Sequence, residues 1–281
     1  ELKLNDKKKK FLLEFRKIFI NESIKKNQIF SRKELCGNNK FKFLVLLPLQ
    51  IDPYFSFNSY VEFKDQFDYL CYVLDRIDKN IGVVITTHSD WSDYLKKDGF
   101  LEYIEKTYPN AILRDRFNDI RYSSQYLMDL VDGIITISST LGMQSLIFKK
   151  PLFVVGNNSQ LTHFCESNNI ADIGKVLSKN KFKDQDAILY HLLTHYYFLN
   201  EPYVNNGKWL YQFFTKSIKK YKENCQFDFF DRIDNDETLL KHFRKYRRKP
   251  TLNVNNKTAV TMDKKDNMYM VKQFKKTLKY K

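Results

Sequence analysis

No stretch of this 281-residue chain approaches the roughly 18 uninterrupted apolar residues that a membrane-crossing helix needs, and Glu1 to Lys10 is charged where a secretory leader would turn apolar. A cytoplasmic globular protein is the expectation. Its four cysteines, Cys36, Cys71, Cys165 and Cys225, form no CxxC pair and fall far short of a disulfide scaffold, so they read as reduced, partly buried thiols. His191 and His195 stand four residues apart without the glutamate of an HExxH arrangement, and no zinc is expected. GxxxxGK[ST], GxGxxG and GxSxG are also missing, which argues against P-loop, dinucleotide and hydrolase chemistry and leaves no cofactor to expect. Asp184-Gln185-Asp186 and Asp234-Asn235-Asp236 imitate a metal-binding DxD, yet both lie in polar segments and read as exposed surface carboxylates.

The charge is unevenly spread. Of a net +15, residues 241–281 supply 12, with 14 Lys and Arg against two Asp. The remaining body is close to balanced and carries no zinc finger or RNP motif, so a nucleic-acid partner is not expected. A basic tail beside a balanced domain suits an anionic membrane surface. Within it, Lys249 to Asp263 reads as a flexible linker. Met268, Val271, Phe274 and Leu278 then recur at three- and four-residue steps among Lys272, Lys275, Lys276, Lys279 and Lys281, the pattern of a basic amphipathic helix. Peripheral attachment to the inner membrane is one expectation, and a helix docked on its own domain or a disordered tail is the other.

Short apolar runs alternate with amphipathic stretches of helical length. Phe41 to Leu49, Gly82 to Thr87, Ala111 to Leu113, Gly133 to Ile137 and Leu152 to Val155 read as buried strands. Val61 to Arg76, Trp91 to Thr107, Tyr122 to Leu130 and Leu141 to Phe148 read as the helices between them. This alternation predicts an α/β fold, a Rossmann-like parallel sheet with helices on both faces. Phe11 to Ile20, Ile188 to Tyr197 and Gly207 to Ile218 have helical spacing, and the C-terminal third reads as helical. The expected divisions are an N-terminal helical segment over 1–37, the Rossmann-like domain over 38–220, and a basic helical tail with a flexible linker over 221–281.

Ligands of such sheets lie beyond the carboxyl ends of the strands. The run Asp132-Gly133-Ile134-Ile135-Thr136-Ile137-Ser138-Ser139-Thr140-Leu141-Gly142 passes from strand through a hydroxyl-rich turn into a helix. Helix N-terminal N–H groups and the helix dipole favour phosphate there, Ser138, Ser139 and Thr140 add donors, and Gly142 would let a ligand come close. An ordinary N-cap is the competing account of the same hydroxyls. Thr87 ends another strand and His88 follows it, and His88 is a candidate donor to a phosphate or a sugar carboxylate. Gln50 and Asp52 end the first strand and are candidates for a sugar or base.

The order Leu47-Pro48-Leu49-Gln50 with Asp52, Thr87-His88-Ser89-Asp90, then Ile135 to Leu146 with Lys150-Pro151 and Gly156, resembles the capsule polysaccharide biosynthesis family, which includes β-Kdo transferases. The likeness covers residues 42–164. It implies the nucleotide-binding half of a GT-B glycosyltransferase that uses a CMP-activated acid sugar, usually CMP-Kdo, and a glycan or glycolipid acceptor without a metal. On that footing Ser138, Ser139, Thr140, Gly142 and Gln144 belong to the donor site, His88 and Thr87 assist, Gln50 faces donor or cleft, and Asp52 is the catalytic candidate. The family's second Rossmann-like domain, with the acceptor site, is expected upstream of Glu1. His88-Ser89 departs from the family's His-Pro. Two alternatives stand beside this one: a transferase or epimerase that uses a UDP-type donor, and a non-catalytic subunit that docks on membrane.

Overall fold

The computed structural model describes residues 4–20, 30–37, 41–51, 60–88, 99–114, 116–117, 123–156, 159–225 and 234–246. In chain order the helices are α1 (Asp6–Phe19), α2 (Arg32–Cys36), α3 (Gln66–Arg76), α4 (Phe100–Thr107), α5 (Ser123–Leu127), α6 (Thr140–Phe148), α7 (Ile173–Lys179), α8 (Asp186–His191), α9 (Gly207–Asn224) and α10 (Asp236–Tyr246). The strands are β1 (Phe43–Pro48), β2 (Ile81–Thr86), β3 (Ala111–Ile112), β4 (Gly133–Thr136) and β5 (Leu152–Val154).

The strands form one five-stranded sheet in the order β3-β2-β1-β4-β5, and every pairing is parallel. Continuous apolar strands require cover on both faces, and they have it. Leu44, Val45, Leu46 and Leu47 are all fully buried. Side chains alternate between faces along a strand. Val45, Leu47, Val83, Ile85, Ile135 and Phe153 therefore share one face, where they join Leu70, Val73 and Leu74 of α3, Ile104 of α4 and Ile173 and Leu177 of α7 in a single core. On the other face Thr86 meets Ser124 of α5, and Thr136 and Leu152 lie against Gly142 of α6. This is a Rossmann-like α/β sheet.

Local sequence explains where the elements begin and end. Helix α3 starts at Gln66 instead of Val61 because Asp65 accepts the N–H of Asp68 at 2.8 Å and caps it. Ser31 and Glu34 make a reciprocal capping box on α2. At the amino edge of the sheet, Asp132 receives a two-pronged ion pair from Arg32 at 2.6 and 3.0 Å and the Leu44 N–H at 2.8 Å. It therefore ties the start of β4 to the start of β1.

The described residues fall into two compact units. The sheet unit draws on residues 30–145 and 150–182, and the helical unit on residues 4–20, 146–149 and 183–246. These divisions differ from those expected: residues 183–220 group with α1 and not with the sheet. The stretch from Asp234, expected as part of the basic helical tail, groups with the helical unit. It contains α10, whose Leu239 is buried and whose Phe243 meets Phe15 edge-on at 4.8 Å. Phe11 packs on Tyr190 in the same manner, and Arg16 reaches the Leu146 and Ile147 carbonyls and the Asp186 carboxylate. The amphipathic segment from Met268 lies outside the described residues. Among those described, no helix is long and apolar enough to cross a membrane.

Candidate functional site

In a sheet ordered β3-β2-β1-β4-β5 the chain builds outward from β1 in one direction and then returns to build in the other. The switch point therefore lies between the carboxyl ends of β1 and β4, where the helical connections diverge and leave a crevice. Two residues singled out by sequence meet there. The Gln50 side chain donates to Ser138 Oγ at 3.2 Å and accepts the Ser138 N–H at 3.3 Å. The Gln50 backbone is itself held, since its N–H donates to Gln66 Oε1 at 2.8 Å.

The following turn is organised from within. Ser139 N–H donates to Thr136 Oγ1 at 3.2 Å, Ser139 Oγ accepts the Leu141 N–H at 3.2 Å, and the Ser139 carbonyl accepts the Gly142 N–H at 2.9 Å. Ser139 thus serves as the N-cap of α6, and the turn's own groups satisfy several of the donors that a phosphate would seek. Ser138 and Ser139 are half-buried, and Thr140 is exposed at the first position of the helix.

Gly142 has a different reason to be glycine from the one expected. A Cβ there would lie 2.7 Å from Leu161 Cδ1, 3.1 Å from Thr136 Cγ2 and 3.4 Å from Leu152 Cδ1. The missing side chain lets α6 sit close on the sheet, so its space faces the core. Gly156, at φ +97°, brings the turn after β5 within 2.8 Å of the Tyr60 carbonyl, measured from where a Cβ would sit. Gln144, one helical turn beyond Thr140, is half-buried, and its Oε1 is shut from solvent without a hydrogen-bond partner.

Thr87 and His88 stand half-buried beyond β2, the strand beside β1. The register Pro48↔Thr86 and the bond from Leu49 N–H to the Thr86 carbonyl bring this strand end alongside Gln50. Asp52, Ser89 and Asp90 lie outside the described residues. Lys150 and Pro151 precede β5 at the amino edge, away from the crevice. There Lys150 donates to the Asp129 carbonyl at 3.2 Å, and burial holds its ammonium below the ordinary lysine value.

Two residues of this region were not singled out by sequence. Gln66 is fully buried at the start of α3 and positions Gln50; a polar residue just inside a capped, apolar helix was the available signal. Thr136 is likewise fully buried, and a hydroxyl in an otherwise apolar strand marked it.

The carboxylate pairs turn out to be structural. Asp186 is half-buried instead of exposed, bound by Arg16 at 2.7 Å and Lys149 at 3.1 Å, while Asp184 accepts the Asp186 N–H. Asp234 and Asp236 accept the hydroxyls of Tyr203 and Tyr190. The rings of His191 and His195 stack at 4.9 Å. Among the described residues no group of three or more His, Cys, Asp or Glu is placed to hold a metal ion.

No family model matches the chain, and neither the curated proteins nor the solved structures contain a match. The likeness to the capsule polysaccharide family thus rests on the residues quoted for it.

Proposed function

We propose that the sheet unit binds a nucleotide-linked sugar in the crevice between β1 and β4, as the donor-binding half of a glycosyltransferase of surface polysaccharide assembly. The supporting observation is the meeting of Gln50 and Ser138 at the switch point, beside the N-terminus of α6. The motif order that resembles the capsule family favours a CMP-activated acid sugar such as Kdo. A single phosphate placed there would draw on the Ser138 and Thr140 hydroxyls and on the helix terminus. As the sugar departs, charge develops on that phosphate, and fixed donors at a helix terminus stabilise it without reorganising. Ligand oxygens would replace Ser138 as the partner of the Gln50 amide.

A second reading has an observation in its favour. Because Ser139 and Thr136 already satisfy much of the turn, the scaffold is also suited to a non-catalytic subunit with a self-capped helix.

Calorimetry with CMP, CDP, UDP and GDP separates the two. CMP is expected to bind most tightly, and Ser138→Ala to weaken it by about 10-fold or more, the loss of one hydrogen bond to a charged group. Tightest binding of UDP or GDP would replace the donor assignment, and failure of every nucleotide to bind would leave the scaffold reading.

A further inference from the structure

Helix α9 has two apolar faces, one packed on its own unit and one largely exposed. On the inner face, Trp209 stacks on Phe213 at 5.1 Å and meets Tyr203 and Phe198 at 4.9 and 5.4 Å, and Ser217 is buried one turn further along. This aromatic cluster accounts for the attachment of the helix to its own unit. The second face is Tyr211, Phe214, Ile218 and Tyr221, at 74%, 51%, 52% and 43% exposure. Their spacing of three, four and three residues puts them in one continuous stripe along the helix. Isolated apolar side chains on a surface need no explanation, but four in register over three turns do.

Charge suggests what covers the stripe. Helix α9 carries Lys208, Lys216, Lys219, Lys220 and Lys222 against one acid, Glu223. At 100° per residue, Lys222, Lys208 and Lys219 fall along one border of the stripe. A second copy of this chain would set these lysines against their own counterparts, an unfavourable pairing across a two-fold interface. An anionic lipid surface meets both features at once. Its acyl boundary accepts Phe214 and Ile218, tyrosine rings suit the headgroup depth, and lysines reach the phosphates.

We infer that the outer face of α9 is a docking surface for an anionic phospholipid bilayer, with the helix lying in the plane of the interface. This differs from attachment through the basic tail, because it uses a folded helix and an apolar stripe, and it does not depend on the nucleotide-sugar reading.

The test is flotation of the full chain with vesicles of phosphatidylcholine alone and of phosphatidylcholine mixed with phosphatidylglycerol. The chain should float with the mixed vesicles. Tyr211→Ser/Phe214→Ser/Ile218→Ser removes three side chains that each bury partly in lipid, and the partition coefficient should fall on the order of 100-fold. Phe214→Leu should keep most of it. Lys208→Gln/Lys219→Gln/Lys222→Gln should weaken the preference for the anionic vesicles several-fold while leaving the chain folded by circular dichroism, so the result stands even if the serine variant misfolds. Neutralising Lys272, Lys275, Lys276 and Lys279 to Gln should leave a clear dependence on the α9 stripe. The inference is overturned by a wild-type chain that floats with neither vesicle, by serine and lysine variants that float as wild type does, or by binding that follows the tail lysines alone. A wild-type dimer that the serine substitutions convert to monomer would assign the stripe to a second copy instead.

Discussion

Replacing Gly142 by alanine distinguishes a glycine kept for packing from one kept for ligand access. If helix propensity alone mattered, Gly142→Ala would stabilise α6 by about 0.8–1 kcal/mol. The added methyl would instead meet Leu161 Cδ1 at 2.7 Å and Thr136 Cγ2 at 3.1 Å. Leu161, Thr136 and Leu152 are all fully buried, so none can swing into open space. Overpacking of this kind costs about 1–3 kcal/mol, and after the propensity gain a net loss of up to about 2 kcal/mol is expected. Urea denaturation followed by far-UV circular dichroism measures it. Leu161→Ala should cost about 2–5 kcal/mol by itself. In the double variant the new methyl occupies part of the vacated space, so the two losses should fail to add by about 1 kcal/mol. A Gly142→Ala protein at least as stable as wild type, or strict additivity in the double variant, would refute the packing account.

Three further outcomes follow from the described contacts. Burial raises the Asp186 carboxyl, but the hydrogen bonds and charges of Arg16 and Lys149 outweigh it and hold the group below its ordinary value of 3.8. A depressed folded-state value gives stability that is present above the unfolded value and is lost as pH falls through the folded one. Asp186→Asn should therefore flatten the acid limb of a stability-against-pH curve below about pH 4, and an unchanged limb would remove the ion pair from the account. Asp132→Ala removes both the Arg32 pair and the acceptor of the Leu44 N–H, with an expected loss of about 1–2 kcal/mol in urea. Asp132→Asn, which can retain the acceptor, should lose less; equal losses would show that charge alone matters. Cys225 is exposed and Cys165 is buried, whereas burial pushes the Cys71 thiol up, so a thiol reagent should modify Cys225 first and Cys225→Ser should remove the fast phase.

The alternation of apolar strands with amphipathic helices was legible because each run must be buried on both faces; four of the five strands lie within the runs picked out, and β2 begins one residue earlier, at Ile81. The order β3-β2-β1-β4-β5 was not, since it depends on pairings between distant segments that no local pattern encodes. Ser139 and Gln50 were visible as polar residues at strand ends, but their partners Thr136 and Gln66 were obscured inside apolar segments. At Gly142 the right residue carried the wrong reason, because a sequence shows the absence of a side chain but not which neighbour fills the space. Helix α10 falls in the stretch expected to be helical, but its bounds were not legible because Lys and Arg obscure Leu239 and Phe243, whose four-residue spacing is the helical signal. The Ser31 and Glu34 capping box was readable and overlooked.

Between β1 and β4 the paired register runs only through Val45↔Gly133 and Leu46↔Ile134. This short seam is clasped at its amino end by Asp132 on the Leu44 N–H and at its carboxyl end by Gln50 on Ser138. A ligand that draws Gln50 or Ser138 to itself opens one clasp and leaves the other closed. The ladder between the two clasps would keep its register, so any rearrangement on occupancy would be confined to the carboxyl end of the seam.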